Sequence, residues 1–99
     1  MLHIIKEREG DRLTVALEGR LDTTTSPELE ECLKENLSDV TELVMDFEKL
    51  DYISSAGLRV LLAAQKIMNR QGGMKLCRVG ETIMEILEVA GFTDILTIE

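Results

Sequence analysis

Near the start of the chain, apolar positions alternate with polar ones. Leu13, Val15 and Leu17 stand between Arg12, Thr14, Ala16 and Glu18, and a shorter apolar run of Leu2, Ile4 and Ile5 precedes them. A period of two marks a strand with one buried face. The "REGD" between the two runs holds Gly10, which can take the positive φ of a tight turn. Residues 1–18 therefore read as a β-hairpin.

The period then changes. In "GRLDTTTSPELEECLKENL", Leu29, Cys32, Leu33 and Leu37 recur at helical spacing, with Glu28, Glu30, Glu31, Lys34 and Glu35 opposite them. This is the pattern of an amphipathic surface helix. Pro27 suits the first helical position and makes Ser26 the expected N-cap; a capping box from Thr25 to Glu28 is the alternative. "TELVMDF" (41–47) has the continuous apolar middle of a strand covered on both faces. From about residue 56 to 69 a second helix follows. Leu58, Leu61, Leu62, Ile67 and Met68, with Val60, Ala63 and Ala64, make it apolar nearly all round, so it is expected to be largely buried. "NRQGG" stops it. "MKLCRV" (74–79) is a further strand. "ETIMEILEVAG" is a third helix, with Ile83, Ile86, Leu87 and Ala90 inward and Gly91 at its end. "DILTI" (94–98) is a last short strand. Strands alternating with crossover-length helices predict parallel pairing in the C-terminal part. The fold class is α/β with an antiparallel hairpin added, a mixed sheet carrying helices. No linker or repeat divides it, so residues 1–99 are expected to form a single domain.

Composition narrows the function. Nineteen Asp and Glu against eleven Lys and Arg give a formal net charge of −8. Such a chain repels nucleic-acid phosphates and anionic membrane surfaces, and it favours a partner with a basic patch. With only three aromatic residues and no Trp, the core must be aliphatic, and a shallow surface function is expected. Cys32 and Cys77 lie in apolar patterns without metal-ligand spacing, and read as buried free thiols in a reducing compartment. The lone His3 reads as a strand side chain. The N-terminus turns charged after five residues, unlike a signal peptide. No apolar run approaches the roughly 18 residues of a membrane span. A cytoplasmic protein is expected.

Catalytic signatures are weak. A serine nucleophile lacks a placed base, and neither "GRLDT" nor "SSAGL" is a G-x-S-x-G elbow. No Gly-rich loop ends in Lys-Ser or Lys-Thr. Asp46, Asp51 and Ser55 are the best set for a metal-using enzyme, but Asp residues at a strand exit are commonly turn formers. Neither catalysis nor a metal nor a cofactor is expected. The pair Ser54-Ser55 opening "SSAGLRVLL" stands out. One serine suffices to cap a helix. A second one there faces free amides and the positive end of the helix dipole, where a phosphate is accommodated.

"FEKLDYISSAGLRVLL", preceded by "EGRLDTTTSPEL", resembles the STAS family, specifically the bacterial anti-sigma-factor antagonists. The resemblance spans essentially the whole chain. It implies a four- to five-stranded mixed sheet with about three main helices packed on one side. It implies phosphorylation of the serine two residues before the motif glycine, here Ser55 before Gly57, with Ser54 as the alternative acceptor. The family Asp beside the acceptor maps to Asp22. Many members carry Asp where this chain has Ser54, and Ser or Thr where it has Ala56.

What the resemblance implies for function is a partner switch in transcription. Unphosphorylated, the protein binds an anti-sigma factor and so releases a sigma factor. The anti-sigma factor is itself a serine kinase that uses ATP and Mg²⁺, and a PP2C-type phosphatase resets the switch. The docking face would comprise Asp22, Thr23, Thr24, Ser54, Ser55, Ala56, Gly57, Leu58 and Arg59, on a monomer or weak dimer. The alternative is a non-switching STAS interaction module, acting as a scaffold or small-ligand sensor, with Ser55 only a cap.

Overall fold

The computed structural model describes all residues, 1–99. In chain order the elements are β1 (Leu2–Glu9), β2 (Arg12–Leu21), α1 (Ser26–Asn36), β3 (Glu42–Ile53), α2 (Ser55–Gln71), β4 (Gly73–Cys77) and α3 (Glu81–Val89). One four-stranded sheet has the order β1-β2-β3-β4. The hairpin pair β1–β2 is antiparallel, and Gly10 turns it with φ +60°. The pairs β2–β3 and β3–β4 are parallel, as crossover helices require.

One cluster of buried side chains holds these layers together. Leu13, Val15, Leu17 and Leu21 of β2 and Leu43, Met45 and Phe47 of β3 meet Leu29 and Leu33 of α1, Leu61 and Met68 of α2, and Ile83 and Leu87 of α3. Each such side chain contributes roughly 1.5–3 kcal/mol by leaving water. All three helices therefore lie on one face of the sheet.

The other face carries no helix, contrary to the expectation for β3. Val44 points there and stands outside the core cluster, yet it is only 4% exposed. Opposite it in register are Thr14 and Lys75, and long cationic stems can cover apolar surface while the charge stays wet. Ion pairs lace this face: Arg12–Glu42 at 3.6 Å, Lys75–Glu42 at 3.7 Å and Lys49–Glu18 at 3.9 Å. An apolar run in β3 thus arose without a second helical layer.

Several boundaries differ from the sequence reading. β3 continues to Ile53 rather than ending at Phe47, because its second half pairs with β2 through shifts in register between Ala16 and Glu18 and between Gly19 and Arg20. β4 stops at Cys77, where Arg78 takes φ +53°. Residues 94–98 are not a strand but a tail joined by a single bridge, Leu76 to Ile98. Phe92 to Leu96 forms a turn that buries Leu96. The sheet therefore has four strands. Ala90 caps α3 and is exposed, not inward. In α2, Ala63 and Ile67 are also exposed, so that helix is buried on one side only. Cys32 and Cys77 are half-buried free thiols, and desolvation raises both thiol pKa values. No helix is long and apolar enough to cross a membrane.

Gly57 fixes how α2 meets the sheet. A Cβ there would stand 2.8 Å from Leu21 Cγ and 2.9 Å from Ile53 Cγ1. At Gly73 a Cβ would meet nothing within 4 Å. Gly57→Ala should therefore cost about 1–3 kcal/mol by overpacking, or several degrees of melting temperature in a domain of this size. Gly73→Ala should not show a comparable loss. Thermal denaturation of the two variants checks this; equal midpoints would mean that the α2–sheet contact relaxes freely.

Candidate functional site

The C-terminal ends of β2 and β3 bring the two motif segments together. Leu21 pairs with Ile53, and the Ser54 N–H donates to Leu21 O at 2.9 Å. The chain after β2 and the start of α2 therefore leave the sheet side by side. Asp22 follows Leu21 directly, and Ser55 follows Ser54.

Asp22 organises the first of these turns. Its Oδ1 accepts from Thr24 N at 3.0 Å, Thr24 Oγ1 at 2.8 Å, Thr25 N at 3.1 Å and Thr25 Oγ1 at 3.2 Å. An Asp side chain that holds amides two and three residues on is a local substitute for a backbone turn. The Thr24 hydroxyl bond, then the Thr25 amide, lower the Asp22 pKa from 3.8 to about 2. The carboxylate therefore stays charged at all mild pH values. Thr25 Oγ1 also donates to Arg20 O and accepts from Asp22 N, both at 2.8 Å. Ser26 donates through Oγ to Asp22 O.

Those bonds explain why Ser26 is not the N-cap. α1 begins at Ser26, and Thr25 takes the cap position with its hydroxyl spent on the turn, so no side chain caps this helix. Pro27 removes one amide donor that would otherwise need a partner.

At α2 the two serines divide. Ser54 is the N-cap, extended at φ −96° and ψ 175°, and its Oγ accepts from Gly57 N at 3.4 Å. Ser55 opens the helix, is exposed, and its hydroxyl has no hydrogen bond within the chain. The first turn of α2 holds no acidic residue. The positive end of its dipole is therefore unneutralised by the helix's own side chains.

Next to Ser55, a shallow groove of about 210 Å³ lies between the starts of α1 and α2, lined by Thr23, Ser26, Glu30, Ala56 and Arg59 but by neither Ser54 nor Ser55. Gly57 and Leu58 are buried; they hold the helix start and do not face outward. Arg20 was not singled out from sequence. Its guanidinium lies 4.4 Å from the Tyr52 ring centre, and its Nε is 3.7 Å from Asp22 Oδ2. Arg20 and Tyr52 are partners in the β2–β3 register, a pairing visible only once the bulges are placed. Asp46 is elsewhere, on the open sheet face, paired with Ala16 and Cys77. Burial acts to raise its pKa, but the Arg78 guanidinium and the Glu48 N–H outweigh burial and lower it. Asp46 and Ser55 are not brought into one site.

The STAS domain family model matches residues 3–99. The chain belongs to that family. It is 35% identical over 88 residues to BtrV of Bordetella bronchiseptica, covering 87% of this chain and 76% of that protein. It is 29% identical over 97 residues to the anti-sigma-B factor antagonist of Listeria monocytogenes, covering 96% and 85%. Among solved structures, it superimposes on the Bacillus cell fate determinant SpoIIAA in the phosphorylated form with a TM-score of 0.76. There the sequence identity is 17%, and 98% of this chain and 91% of that one are covered.

The depressed pKa gives a direct check on the Asp22 turn. A lowered carboxylate pKa means that the charged form supports the folded turn. Its contribution is present above the ordinary value of 3.8 and is lost as pH falls through about 2. The Thr24 and Thr25 amide resonances should inflect near pH 2, and both amides should exchange faster in Asp22→Ala. An inflection near 3.8 would show that Asp22 does not hold them.

Proposed function

We propose that this STAS protein is an anti-sigma factor antagonist switched by phosphorylation of Ser55. The observation that carries the reading is the division between the serines. Ser54 caps α2 through its own Oγ, which leaves the Ser55 hydroxyl exposed and unbonded at a helix start. A hydroxyl required for neither fold nor cap is open to a kinase.

In the unphosphorylated state the anti-sigma factor docks over Asp22, Thr23, Thr24, Ser55, Ala56 and Arg59, and a sigma factor is released. The anti-sigma factor, acting as a serine kinase with its own ATP and Mg²⁺, transfers the γ-phosphoryl group to Ser55 Oγ. ADP leaves, and the hydroxyl proton is lost to solvent or a kinase base. The phosphate adds about −1.5 to −2 charges. The free amides and the dipole of α2 tolerate it locally, so the helix stands. At the docked interface a dianion beside Asp22 creates like-charge repulsion and a desolvation cost, and the complex weakens. A tenfold loss of affinity needs only about 1.4 kcal/mol. A PP2C-type phosphatase hydrolyses the phosphoserine and resets the switch. In this scheme the chain contributes a hydroxyl and a surface, and the enzymes supply the catalysis.

Intact-mass spectrometry tests the scheme, after incubation with the serine-kinase anti-sigma factor of the same organism and Mg-ATP. Wild type and Ser54→Ala should gain one phosphate, and Ser55→Ala none. Ser55→Asp should bind that anti-sigma factor at least about tenfold more weakly, a difference of about 1.4 kcal/mol, while Ser55→Ala binds like wild type. A phosphate lost only in Ser54→Ala would move the acceptor to the cap. No phosphate in any protein, with a kinase active on another substrate, would leave both serines structural and favour a non-switching module.

A further inference from the structure

A second surface lies at the end of the chain, away from the serines. None of the eleven Lys and Arg residues follows Arg78, whereas Glu81, Glu85, Glu88, Asp94 and Glu99 all do. Most of the net charge of −8 therefore sits in this last stretch. Glu99 is paired with Lys75 at 3.4 Å. The three glutamates of α3 take part in no ion pair.

The end of α3 also breaks two local rules. Its last turn carries no basic residue, and Glu88 stands there, at the negative end of the helix dipole. Val89 is 91% exposed, and together with Glu85, Ile86 and Ala90 it lines a shallow depression. α1 is equally rich in glutamate, but it has Lys34 in its last turn and buries Leu29 and Leu33. Glu88 costs α3 stability at the negative end of its dipole, and Val89 exposes apolar surface, with no gain inside the fold. Such local conflicts concentrate at functional surfaces.

We infer that the C-terminal end of α3 docks a cationic amphipathic segment of another protein. An apolar side chain of that segment would sit against Val89 and Ala90, with Lys or Arg beside Glu85 and Glu88. Charge complementarity selects this occupant over a second copy of the chain, whose own α3 would repel it. The bridge from Leu76 to Ile98 is parallel, so α3 must run back between β4 and the tail. Its end therefore lies toward the start of β4, whereas Ser55 lies beyond the end of β3. The two surfaces can be occupied together.

The test is amide-shift mapping of the full chain at physiological ionic strength. The probe is a helical lysine–leucine peptide with its leucines on one face, compared with an all-lysine peptide. The amphipathic peptide should shift amides around residues 85–91, and the all-lysine peptide should bind at least about tenfold more weakly. Val89→Ser and Glu88→Lys should each weaken binding by about tenfold or more, with Glu88→Lys raising the melting temperature through the helix dipole. Four results would overturn the inference: no shifts, equal response to both peptides, shifts centred on the acidic face of α1, or α3 shifts that follow protein concentration without peptide.

Discussion

The serine end depends on Gly57 lacking a side chain. With no Cβ there, α2 starts in contact with Leu21 and Ile53, the last apolar residues of two neighbouring strands. That contact lets the Ser54 N–H reach Leu21 O. The same bond sets Asp22 and Ser55 on adjoining exits from the sheet. The Asp22 turn then follows from local chemistry, because a carboxylate next to Thr-Thr can collect two amides and two hydroxyls. A bulkier residue at position 57 would push the helix start away from both strands and separate the two halves of the site.

Much of this was legible in the sequence. Alternation in residues 12–18 gave the hairpin its buried face, and Leu29, Leu33 and Leu37 gave α1 its inward stripe. The serine pair and Asp22 stood out as motif residues before their geometry was known. The misreadings share a cause, which is that tertiary pairing decides what local pattern leaves open. "TELVMDF" gave no sign that β3 would continue through the charged "EKLDY", since that half is held by bulged pairing to β2. Thr25 and Ser26 both have capping hydroxyls, and which one caps depends on whether the Asp22 turn claims them. It claims both. "DILTI" has a strand's composition, but its only bridge to β4 is Ile98 with Leu76.

The one-sided sheet clarifies what surface is left for partners. Its open face is occupied by reciprocal ion pairs, among them Arg78 with both Asp46 and Glu48. Exposed pairs of this kind contribute little stability, on the order of 0–1 kcal/mol. They do satisfy the charges within the molecule, so that face offers a docking partner few unmet groups. The helix starts are different. There the Ser55 and Ala56 amides, the Ser55 hydroxyl and Arg59 have no partner within the chain.

The family motif that this chain resembles has Asp at the position of Ser54, and the cap geometry shows why this fold can accept either. Both residue types accept from an amide at a helix start, and Ser54 does so while keeping the extended backbone of an N-cap. What changes is charge. With a neutral cap, the carboxylates at this corner are Asp22, with the Arg20 guanidinium 3.7 Å from it, and Glu30, which lines the same groove as Arg59. Before modification the acceptor's surroundings are thus close to neutral. A phosphate at Ser55 would add about −1.5 to −2 charges to that corner. The change in charge on phosphorylation would be the same with either residue; a neutral residue 54 lowers only the starting negative charge of this corner, while its cap keeps the helix that presents the serine in place.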